Sequence, residues 1–186
     1  MNRPLPPYTH IPGVTPHPIR DPAGHSYQPP RLLAEILESS RNESGVTLEN
    51  LDREPLFSEA VTLFNAGYYW EAHEAWESLW HRAGRSGPTA DFVNGLIKLA
   101  AARVKLREHN PDGVERHARR AGELFESVKS EYSGEMGTTL VVALPRLIAL
   151  AERIEHQPPA FPEDRTGKPV VVLPRLPHGL AQAATL

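Results

Sequence analysis

Nineteen prolines divide this chain of 186 residues into three stretches. Nine lie in residues 1–30 and six in 157–186, while only Pro55, Pro88, Pro111 and Pro145 fall between. Proline lacks the backbone donor that a helix interior requires, and it biases the residue before it towards extended backbone. The ends are therefore expected to be extended arms, and only the middle is free to be helical. The pattern predicts an all-α fold, a helical bundle of about four to five helices built from helical hairpins over residues 31–156. A Pro/His-rich N-terminal arm (1–30) and a Pro-rich C-terminal arm (157–186) flank it.

Within the middle, apolar residues recur at helical spacing. Leu32, Leu33, Ile36 and Leu37 predict a short amphipathic helix over 31–41. Asp52 as cap and Pro55 in the first turn predict a helix over 55–66, with Leu56, Ala60, Leu63 and Phe64 as its apolar face and Gly67 as its stop. A helix over 68–81 follows at once, so the two form a hairpin. After a loop containing Gly84 and Gly87, a long helix over 89–108 has a small and apolar centre, Gly95-Leu-Ile-Lys-Leu-Ala-Ala-Ala, that lets a neighbour approach closely. Asn110 is expected to cap the next helix, which carries Pro111 and Asp112 in its first turn and runs to about residue 132. Over 138–155 a last helix contains Pro145, where a kink or break is expected.

The stretch Trp70-Glu-Ala-His-Glu-Ala-Trp-Glu-Ser-Leu-Trp80 holds all three tryptophans of the chain. At 3.6 residues per turn, Trp70, His73, Glu77 and Trp80 share one stripe, and His73 and Glu77 stand one turn apart. An imidazole and a carboxylate so placed can supply two ligands to zinc, manganese or iron, with others arriving from a facing helix. Glu74, Asn94 and His117 are the candidate additional ligands, and Glu74 is the candidate general base if a metal is bound. Trp70, Trp76 and Trp80 are candidate pocket walls, or else packing residues of the hairpin. His73-Glu-Ala-Trp-Glu77 opens like the zinc-protease helix His-Glu-x-x-His, but Glu77 replaces its second histidine. The di-iron pair Glu-x-x-His is not formed either, because residue 70 is Trp. The competing structural reading is a buried His73 hydrogen-bonded to Glu77, each satisfying the other. His81 extends the row by a turn and is expected to be solvated. The N-terminal arm, with His10, His17 and His25, lies on the core or folds over the motif helix and lends it a histidine or Arg20.

Composition limits the partners. The chain has no cysteine, which removes disulfides, thiolate metal sites and cysteine nucleophiles. Twenty basic against 23 acidic residues give a net charge of −3, without the basic field of a nucleic-acid binder. No run approaches the roughly 18 apolar residues of a membrane span, and no signal pattern is read at the N-terminus, so a cytoplasmic protein is expected. A protein or peptide partner and a homo-oligomer stay open. The helical hairpins loosely follow the manner of tetratricopeptide repeats, which keeps an interaction module without catalysis as the alternative to a divalent-metal or small-ligand site.

Phe64-Asn-Ala-Gly-Tyr-Tyr-Trp-Glu-Ala-His-Glu-Ala-Trp-Glu-Ser-Leu-Trp80, followed by Phe92-Val-Asn-Gly-Leu-Ile-Lys-Leu-Ala-Ala-Ala102, resembles domain of unknown function 309, a small all-helical prokaryotic family. The resemblance covers about residues 56–128. The family motif of His, three residues, Glu, two residues and Trp or Tyr corresponds to His73, Glu77 and Trp80. The resemblance implies a helical fold and a metal-binding motif, and it names no reaction.

Overall fold

The computed structural model describes residues 4–29, 45–132, 136–164, 166–172, 174–176 and 180. Among the described residues, five α-helices follow the 3-10 turn Leu51–Arg53: α1 (Pro55–Asn65), α2 (Tyr69–Arg82), α3 (Pro88–Arg107), α4 (Pro111–Glu131) and α5 (Thr138–His156). No strand occurs among the described residues. The fold is thus the expected all-α bundle. The helix expected over 31–41 lies outside the described residues.

Each helix packs mainly on its chain neighbours, α1 on α2, α2 on α3, α3 on α4 and α4 on α5. Three helices open with proline at the first position, where the missing donor costs nothing. Asn110 caps α4 as expected, its side-chain oxygen accepting from Gly113 N at 2.8 Å. Arg82 at the end of α2 donates to Glu54 at the start of α1 (3.0 Å), which closes the first hairpin.

Three local expectations are corrected. Asp52 does not cap α1; the cap position is Glu54, and Asp52 is buried in the 3-10 turn with its carboxylate against Gly137. The buried face of α1 is Phe57, Ser58, Ala60, Val61 and Phe64, rotated from the one expected, and Leu56 and Leu63 are only partly buried. Of the kink or break expected at Pro145, the break does not occur, since α5 is continuous over Thr138–His156. Pro145 is exposed, so its ring projects to solvent.

α3 is the central helix. It buries Phe92, Val93, Leu96, Leu99, Ala100 and Leu106 fully, while Asn94, Lys98, Ala101 and Lys105, a stripe at helical spacing, are half-exposed. Gly95 allows the closeness of α4: a Cβ there would stand 2.4 Å from a ring carbon of the buried Phe125. Gly67, with φ of 90°, makes the tight turn into α2, and the backbone of Val170 from the C-terminal segment passes within 2.8 Å of where its Cβ would be.

Candidate metal site

α2 begins directly after the Gly67 turn, and this register decides what each motif residue faces. Ala72, Trp76 and Leu79 are fully buried. Trp76 packs in the core with its ring centroid 5.8 Å from that of Phe64. Trp70, His73, Glu77 and Trp80 are half-buried on the neighbouring stripe, as helical spacing predicted.

His73, Glu74 and Glu77 each offer one ligand atom, and those atoms all lie within 4.8 Å of one another. The side chains of His73 and Glu74 are 27% and 33% exposed, so the group is partly open to solvent rather than in the core. The buried mutual hydrogen bond between His73 and Glu77 is not what forms. The carboxylate nearest His73 Nδ1 is that of Glu74, at 3.6 Å, and Nδ1 is itself buried with no hydrogen-bond partner. This is an orphaned polar atom beside two carboxylates, and an imidazole nitrogen with two oxygens suits a divalent zinc, manganese or iron ion.

His117 on α4 feels the charges of Lys98 and Lys105 on α3 and of His73 on α2. His117 is half-buried although its neighbours in sequence, Glu115, Arg116, Arg119 and Arg120, are charged. Burial first, then Lys98, Arg116, Lys105 and His73, push its pKa down to about 4. The imidazole is therefore neutral at ordinary pH, which is the form that binds metal. Asn94 is half-buried on the same stripe as Lys98. His81 stands outside the three-residue group and meets the Trp80 ring edge-on, at 5.3 Å between centroids.

The N-terminal arm does lie on α2, and the residue that holds it is one that spacing gave no reason to single out. Glu71 is buried and accepts from Thr9 Oγ1 and from His10 N, both at 2.8 Å, with His25 Nε2 at 3.4 Å. Trp70 is flanked edge-on by the rings of His10 and His17, each at 5.0 Å between centroids. Burial, then His17, lower the pKa of His10, while Glu74 acts in the opposite direction, which places His10 within reach of the charge of the donor group. Its partners lie between 46 and 62 residues earlier in the chain. No local pattern could have shown it.

Residues 57–117 match the family model described as Domain of unknown function (DUF309), within the stretch where the resemblance was seen. No curated protein and no solved structure matches the chain.

Proposed function

From the match of residues 57–117 to that family model, we propose that the protein holds a divalent cation of the zinc, manganese or iron class on α2, through His73, Glu77 and Glu74. The observation that carries this is the convergence of one imidazole and two carboxylates within 4.8 Å, at a half-exposed and therefore accessible place. Glu74 lies among the donors and serves as one of them, rather than standing apart as a base. His117, which feels the charge of His73, and half-buried Asn94 are the candidates for completing the set. A bound ion of this class supplies Lewis acidity and a water molecule of lowered pKa. The chain itself contributes the neutral imidazole of His117 nearby and the arm residues that Glu71 holds on α2.

The alternative, a tetratricopeptide-like interaction module, requires a concave apolar surface on the hairpins. Among the described residues, the exposed large hydrophobic side chains are Leu5, Val14, Tyr27, Val141, Val142 and Val171, all outside α1 to α4. The metal reading is therefore preferred.

Elemental analysis of protein purified without chelator tests it. Near-stoichiometric metal is expected in the wild type and loss of it in His73→Ala. A wild type free of metal after reconstitution with zinc, manganese and iron(II) in turn would end this reading.

A further inference from the structure

On a different face of α3 from the half-exposed stripe, two arginines one turn apart, Arg103 and Arg107, are 1% and 2% exposed. The C-terminal segment covers them and meets them with main-chain oxygen alone. Arg103 Nη2 donates to Pro174 O at 3.1 Å, and Arg107 donates through Nη1 to Lys168 O (3.1 Å) and through Nη2 to Asp164 O (3.0 Å). Arg103 Nε, Arg103 Nη1 and Arg107 Nε are buried and meet no acceptor.

No carboxylate among the described residues forms an ion pair with either guanidinium. Asp164 acts on Arg107 from an exposed position, and Arg153 adds repulsion at Arg103. The covering segment brings Asp164 near Arg107, while Lys168 and Arg175 add positive charge and residues 166–176 contain no acidic residue. Burial pushes the pKa of both arginines below the usual value. Beside them, the Tyr69 hydroxyl accepts from Val172 N at 2.7 Å, and its own proton goes to no acceptor among the described residues. The charges of Arg103, Arg107 and Arg175 all act on that hydroxyl.

A buried guanidinium without a counter-charge is one of the least favourable arrangements in a protein interior, and carbonyl dipoles compensate it only in part. Two on one helix, with three donor atoms and a phenolic proton left over, call for an anion. We propose that Arg103, Arg107 and the Tyr69 hydroxyl form a binding site for a compact oxyanion, the phosphate or carboxylate group of a small molecule, taken beneath the C-terminal segment. The planar fork of arginine matches both groups with paired donors, which lysine cannot do. The site is separate from the α2 donor group, and the two stand or fall independently.

Thermal unfolding and calorimetry of the full chain, with inorganic phosphate, sulfate or acetate against chloride at matched ionic strength, test the proposal. Saturable stabilisation is expected, with the unfolding constant lowered about 100-fold at an anion concentration 100 times Kd. Stronger response to phosphate and sulfate identifies a phosphate-bearing ligand, and stronger response to acetate a carboxylate. Arg103→Met, close in volume and uncharged, is expected to weaken anion affinity at least about tenfold, while His73→Ala leaves it unchanged. Wild-type protein stabilised by none of the three anions beyond chloride overturns the proposal, whether or not the variants fold. A full response retained in Arg103→Met also overturns it.

Discussion

At the scale of single residues, the candidate site depends on which protonation state each group keeps. His117 shows this most directly. Its pKa falls from an ordinary 6.5 to about 4 in the fold, because burial and then the neighbouring cations disfavour the charged ring. Between those two values the unfolded chain binds the proton and the folded chain does not, so stability rises with pH across that window. The contribution is fully present above pH 6.5, is lost as pH falls towards 4, and changes no further below that. Urea unfolding at intervals from pH 4 to 7 is expected to show this slope in the wild type, and up to one proton less of it in His117→Asn. Equal slopes would mean that His117 is solvated after all.

At the scale of helices, α3 is the centre, packed by α4 on one side and by α2 on another. Gly95 sets the first of these approaches. Alanine there gains about 1 kcal/mol of helix propensity, but its methyl group would stand 2.4 to 2.9 Å from three ring carbons of Phe125. Overpacking of that kind costs about 1–3 kcal/mol, so the clash wins and Gly95→Ala is expected to destabilise by about 1 kcal/mol in chemical denaturation. In a Phe125→Leu background the cost should shrink or change sign, and an unchanged cost would place the constraint elsewhere. Much of this level was legible in the sequence. Pro55, Gly67, Gly84, Gly87, Asn110 and Pro111 punctuate the helices locally, and a local signal survives in a single chain. The face of α1 was misjudged because Leu56 and Phe57, adjacent apolar residues, fit a 3.6-residue period about equally well. Only the partner helix decides between them.

At the scale of the molecule, the extended segments bind the bundle through contacts that no periodicity encodes. Both ends of the described chain reach α2 and each other: Tyr68 donates to Pro6 O (2.8 Å), Thr9 N to Gly167 O (2.9 Å), and Val172 N to Tyr69 (2.7 Å). Arg103 and Arg107 lie in a stretch, Ala-Arg-Val-Lys-Leu-Arg, that reads as an ordinary charged surface until a segment sixty residues later covers it. Glu71 is the corresponding anchor for the N-terminal segment. Because two hydrogen bonds to a buried carboxylate are at stake, Glu71→Gln is expected to cost about 1–3 kcal/mol, and to speed proteolytic cleavage within residues 4–29. Unchanged cleavage would show that the Trp70 contacts hold the arm alone.

The donor group on α2 is the centre of this account, and calorimetric titration of zinc into the chelator-treated full chain tests it most directly. The account predicts about one equivalent bound by the wild type, with binding abolished in His73→Ala and Glu77→Gln while helical circular dichroism stays unchanged. A wild type that takes up no zinc, manganese or iron(II), or a His73→Ala variant that binds undiminished, would contradict it.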